Sequence, residues 1–130
     1  MTTRPPRSIH VAGGSHKAPI PAGARVGPLL ATSAVNGKDP VTGTLPADAA
    51  SQAANAFTNL QAVLAAGGAS LADVVKLAVT IGDESVRETV NPHWLALFPD
   101  PADRPARHIT VQALQHGMWL QIEALAYVQG

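Results

Sequence analysis

The side chain best placed to do chemistry is Arg107. It opens the run Ala106-Arg107-His108-Ile109-Thr110-Val111, whose β-branched members favour a pleated strand, and it follows a loop stiffened by Pro99, Pro101 and Pro105. A planar guanidinium on so short and stiff a lead-in matches the two oxygens of a carboxylate. The competing fate is that of most strand-end arginines, a solvated side chain or a structural ion pair. Glu123 stands in a mostly apolar closing strand, where a carboxylate needs a partner or a purpose. A structural ion pair or an edge position would satisfy it as well as a functional role. Gln121, one strand period earlier, shares its face and can hydrogen-bond to a ligand or a water. Ser33, after Thr32, offers a hydroxyl whose usual partner would be backbone. Asn91 before Pro92 has the composition of a helix N-cap, which stands ahead of a ligand role. His108 points opposite to Arg107 on a regular strand and belongs to packing or surface.

Other chemistries are excluded by what is missing. Cysteine is absent, so there are no disulfides, thiolate metal sites or cysteine nucleophile. The histidines His10, His16, His93, His108 and His116 are too scattered for a metal site, and no phosphate-cradling loop, His-Glu metal helix or nucleophile elbow occurs. We therefore expect no metal and no cofactor. Nine basic residues balance nine acidic ones and aromatic residues are 4% of the chain, a poor basis for gripping phosphates or stacking bases, so no nucleic-acid partner is expected. The first residues lack the apolar core of a secretory signal and no run is long enough to span a membrane, so a cytoplasmic protein without a membrane partner is expected.

The elements that must position these residues follow from periodicity. We expect a polar tail and a first short strand (Ser8 to Val11) within residues 1–15, then one domain over 16–130. The segment from Ser15 to Pro21 is too proline-rich for a helix. Strands are expected at Ala24–Val26 and Leu29–Val35, joined by a Gly27-Pro28 turn, followed by turns through Asn36 to Gly43. A long helix spans Ala47 to Ala66, with Ala53, Phe57, Leu60, Val63 and Leu64 on one stripe and Gly67-Gly68 as its stop. Ser70 to Asp73 has capping-box spacing. The strand Val74–Ile81 sets Val75, Leu77, Val79 and Ile81 on one face. A second helix follows Asp83 with Val86, Val90, Trp94 and Leu97 in register, and either bends at Pro92 or restarts there with Asn91 as N-cap. Gln115-His116-Gly117 reads as a hairpin turn into a last strand, Met118 to Val128. The sum is a mixed α/β (α+β) layer, helices on one face of a mostly antiparallel sheet, whose uncovered apolar face argues for burial between subunits.

Several of these segments, in order, resemble the RidA (YjgF) family. Pro105-Ala106-Arg107 matches its Pro-Ala-Arg signature, and Gln121-Ile122-Glu123-Ala124-Leu125-Ala126 its closing strand. Asp39 to Gly43, Asn59 through Lys76, and Val90-Asn91 are similar to intervening parts, so the likeness runs over about residues 16–128. The resemblance implies a chorismate-mutase-like fold, a homotrimer with sites in the clefts between subunits, and cofactor-free hydrolysis of small reactive enamines or imines to ketones and ammonia. It implies that Arg107 binds the substrate carboxylate, with Ser33 and Asn91 at or near the site. The ribonuclease label sometimes attached to the family fits this composition poorly.

The chain departs from that pattern where the chemistry would occur. Gln121 replaces a glutamate held to position or activate water, and an amide cannot take a proton at neutral pH. Ile20 stands for a tyrosine, Ala34-Val35 for Gly-Gln, and Ile109 for a cysteine. The pocket is accordingly more apolar. His16 through Pro21 and Asn91-Pro92-His93-Trp94 resemble a subgroup that includes 2-aminomuconate deaminase-like proteins, which brings His16, Ile20 and Trp94 into the expected site. His16, His93 or Glu123 could supply the missing acid–base group. The expectation is a deaminase using Arg107, Gln121 and Glu123, with a non-catalytic carboxylate-binding trimer or a different reaction in a specialised pathway as alternatives.

Overall fold

The computed structural model describes residues 5–11 and 19–129. Its strands are β1 (Ser8–Ile9), β2 (Gly23–Val26), β3 (Leu29–Thr32), β4 (Val74–Ile81), β5 (Ala106–Val111) and β6 (Leu120–Tyr127), with helices α1 (Ala49–Ala66) and α2 (Arg87–Leu97). They form one sheet in the order β1-β2-β3-β6-β4-β5, antiparallel throughout except for the parallel β4–β5 pair. The expected mixed, mostly antiparallel architecture is thus what the chain adopts. Among the described residues no helix is long and apolar enough to cross a membrane.

Helix α1 forms where its signals lie. Asp48 is its N-cap, accepting from the Ser51 amide at 2.8 Å, and the expected stripe of Ala53, Phe57, Leu60, Val63 and Leu64 is buried. Gly68, at φ 79°, takes the left-handed conformation that ends the helix, and the Arg25 guanidinium donates to the Gly67 carbonyl at 2.7 Å. The capping box from Ser70 to Asp73 is present and leads into β4. The stripe of α1 packs on Leu30, Leu77, Val79, Ile81, Leu120 and Ile122, all essentially inaccessible. Burying each such side chain contributes about 1.5–3 kcal/mol.

Four expectations are corrected. Val75 does not share a face with Leu77: a bulge between Val74 and Lys76 turns it outward, leaving it 52% exposed and burying Val74 instead. Asn91 is not an N-cap, because α2 runs unbroken from Arg87 with Pro92 inside it and the preceding 3₁₀ turn is capped by Asp83. The loop holding Gln115-His116-Gly117 turns there, with both His116 and Gly117 at positive φ, but it is no hairpin, since β4 lies between the strands it joins. Strand β3 ends at Thr32 rather than Val35. Between the Ala31–Leu125 pair and the Val35–Ile122 bridge, Thr32, Ser33 and Ala34 stand opposite only Glu123 and Ala124. The Thr32 hydroxyl then accepts from the Ala124 amide at 2.9 Å in place of a backbone carbonyl.

One polar side chain sits wholly inside. Gln52 donates through Nε2 to the carbonyls of Pro46 (2.7 Å) and Gly117 (2.9 Å) and accepts at Oε1 from the Trp119 amide (2.8 Å). It ties α1 to the loops on either side of the β6 entry. Gln52→Leu keeps the volume but orphans three backbone groups, so the expected loss of stability is roughly 2–4 kcal/mol. A fall in the urea midpoint without a change in slope would show it.

Candidate functional site

The loop before β5 is held by Arg104, which donates to the carbonyls of Phe98 (2.8 Å) and Pro99 (3.4 Å). That fixes the start of β5 and hence Arg107, which pairs with Leu77 of β4 and shares its face, the one covered by helices. The guanidinium lies over the Trp94 ring, 5.0 Å from the centroid, and donates from Nη1 to Asn91 Oδ1 at 2.8 Å. Asn91 and Trp94 lie three residues apart on α2, so a single helical face supplies both contacts. Pro92 suits this arrangement, since it points away and is exposed. Trp94 is steadied in turn by Phe98, their ring centroids 5.0 Å apart.

Among the described residues no carboxylate pairs with Arg107; the ion pair found there joins Arg87 to Glu84. Burial pushes the Arg107 pKa down, and the positive charge of Arg87 adds to that. A guanidinium stays protonated at neutral pH regardless. The site is therefore a partly desolvated cation, oriented by two contacts, with donors to spare and no anionic partner among the described residues. Such a group can bind a carboxylate or another small oxyanion.

The other expected residues are distributed as follows. Gln121 and Glu123 pair with Thr80 and Ala78 of β4, on the face of the sheet opposite to Arg107. One chain therefore does not bring them to Arg107. Gln121 Nε2 is 3.6 Å from the Met118 sulfur, and because a thioether only accepts, Nε2 is the donor and Oε1 is not used in that contact. Glu123 is exposed and lies in a central strand, so the edge-position reading fails, and no ion pair joins it among the described residues. Ser33, lifted out by the bulge after β3, donates to the Pro21 carbonyl at 2.8 Å. Ile20, 52% exposed, is the residue before that carbonyl. His93 stacks on Phe57 with centroids 5.4 Å apart, which makes it a helix–helix packing residue. His16 lies outside the described residues. Two contributors escaped the sequence reading: Met118, whose contact with Gln121 depends on a loop shape, and Arg87, whose i, i+4, i+7 relation to Asn91 and Trp94 was legible in principle. No cluster of three or more metal-ligating side chains occurs among the described residues.

Comparison with known proteins bears on this arrangement. The family model described as Endoribonuclease L-PSP matches residues 17–128. The chain is 34% identical over 110 residues to the 2-iminobutanoate/2-iminopropanoate deaminase of Escherichia coli K12, covering 83% of this chain and 86% of that protein. Its fold superposes on RidA from the Antarctic bacterium Psychrobacter with a TM-score of 0.86 at 30% identity, covering 94% and 99% of the two chains. The crystal structure of E. coli TdcF with bound serine gives a TM-score of 0.86 at 28% identity, covering 95% and 99%.

Asn91 tests how far the orientation of Arg107 matters. Asn91→Ala removes one hydrogen bond to a charged group while leaving a good helix former in place. If Arg107 grips a carboxylate, affinity for 2-oxobutyrate should fall about tenfold by calorimetric titration, while the melting temperature drops by no more than a few degrees.

Proposed function

The chain belongs to the RidA/YjgF family, described as endoribonuclease L-PSP, and from that membership we propose that it is a cofactor-independent hydrolytic deaminase of small imines or enamines bearing a carboxylate. The observation that carries this reading is the Arg107 guanidinium, oriented by Trp94 and Asn91 and left without an acidic partner among the described residues. The bound serine in the TdcF structure is itself a carboxylate-bearing molecule, in keeping with such a site.

In this reading Arg107 takes the substrate carboxylate and Trp94 forms an apolar wall. Water adds to the C=N carbon, the C–N bond breaks, and a ketone and ammonia leave. Gln121 accepts a hydrogen bond from that water through Oε1, with a backbone carbonyl as second acceptor. Glu123, two residues along the same face, takes and returns the proton that an amide cannot hold. Because Arg107 and Gln121 lie on opposite faces of the sheet, one chain must supply the first and a neighbour the second, and in this reading Ser33 and Ile20 line the cleft beside Gln121. A homotrimer joined through the open sheet faces provides such clefts. That open face carries Val26, Leu29, Leu125 and Tyr127, all 39% exposed or more, whose burial would stabilise the assembly. Imine hydrolysis is intrinsically fast, so orientation supplies much of the acceleration required.

One observation favours a second reading, a non-catalytic trimer that binds carboxylate metabolites in the same clefts. Gln121 stands where the family's deaminases carry a glutamate. Ammonia release from 2-aminoacrylate, 2-iminobutyrate and 2-aminomuconate generated in situ separates the two. The deaminase reading expects acceleration over the uncatalysed rate by protein eluting at three times its 13.4 kDa chain mass, abolished in Arg107→Ala. No acceleration from such a folded trimer would sink it in favour of binding alone. Gln121→Glu supplies a base beside the water and should raise kcat by about 10²-fold. The sign of its pH dependence follows: only an ionised carboxylate accepts a proton, so the variant's rate should climb as the pH rises through about 4–5, the range of an ordinary glutamate.

A further inference from the structure

Helix α2 presents more toward Arg107 than Asn91 and Trp94. Residues 87, 91 and 94 stand at i, i+4 and i+7, so Arg87 occupies the same stripe, with adjacent positions about 6 Å apart. Asn91 and Trp94 both touch the Arg107 guanidinium, which identifies that stripe as the one facing β5. Arg87 is the next position along it, and its positive charge is felt at Arg107.

Arg87 is not free, but its partner is a solvent-exposed carboxylate that another anion can displace. Nε and Nη2 bond the two oxygens of Glu84 at 2.5 and 3.3 Å, while Nη1 takes no part. The Glu84 side chain is 65% exposed, and an ion pair so open to water contributes little. An incoming carboxylate can share the guanidinium or replace Glu84 on it. A substrate with a single carboxylate has nothing to offer Arg87.

We propose that Arg87 is a specificity-determining residue that selects 2-imino acids carrying a second carboxylate, with Arg107 on the carboxylate beside the imine and Arg87 on the distal one. This rests on the reading of Arg107 as anchor and names the substrate class of that same site. The reaction is unchanged: water adds across C=N, the C–N bond breaks, and a 2-oxo dicarboxylate and ammonia are released without any redox step.

The test compares 2-iminoglutarate with 2-iminobutyrate as substrates, and 2-oxoglutarate with 2-oxobutyrate as stable ligands by calorimetry. The ligand titration decides the matter even if turnover is absent. Wild type should bind the dicarboxylate more tightly, and Arg87→Gln should lower the dicarboxylate-to-monocarboxylate affinity ratio about tenfold, the size of one charge-assisted contact. Arg87→Lys, which keeps the charge, should retain most of the preference. Equal affinities in the wild type, or a ratio that Arg87→Gln leaves intact, overturns the proposal. Arg107→Ala should lose both ligands; if it binds both as the wild type does, the anchor reading fails, and the proposal with it.

Discussion

Strand β6 imposes the constraint from which the rest follows. It is hydrogen-bonded to β3 on one side and β4 on the other, so each of its side chains must point to one face of the sheet or the other. Leu120, Ile122, Ala124 and Ala126 take the covered face and are buried under α1. Gln121, Glu123, Leu125 and Tyr127 are thereby committed to the open face. Shifting the register by one residue would exchange the two sets and put a carboxylate into the core. The alternation that makes the core also decides which groups remain available for chemistry.

The same logic places Arg107 apart from them. It shares a face with Leu77, yet it lies on the outermost strand, where Asn91 and Trp94 of α2 stand against it. Burial disfavours the charged form of Arg107, and no counter-ion among the described residues relieves it. A cation kept in this condition is better suited to receiving an anion than to stabilising the fold. Its setting on β5 against one face of α2 means that little ordering remains to be done when a ligand arrives.

The open-face groups are positioned by departures from regular structure. The extra residue after β3 swings Ser33 toward the Pro21 carbonyl, and the Thr32 hydroxyl repairs the ladder at Ala124. At the other end of β6, Gln52 clamps Gly117 and Trp119, which sets the loop bearing Met118 against Gln121. Bulges and buried polar clamps of this kind cost regularity and return precision in where a few side chains point.

Much of this was legible in the residues. The stripe of α1, the capping box at Ser70, the alternation of β6 and the guanidinium at the head of β5 are local patterns, set by side-chain period and backbone preference within one element. The family likeness was equally legible, since it lies in short runs kept in order. What could not be read depended on residues far apart in the chain. Asn91 looked like a cap because Asn-Pro often begins a helix; instead its partner is a guanidinium sixteen residues on. Alternation groups Val75 with Leu77, but pairing with β6 places a bulge beside it. Gln115 to Gly117 resembled a hairpin because nothing local reveals that β4 will insert between β5 and β6. Periodicity determined which side chains share an element's face, but the strand order alone decided that Arg107 and Gln121 lie on opposite sides of the sheet, because a face becomes inner or outer only when the strands have found their neighbours.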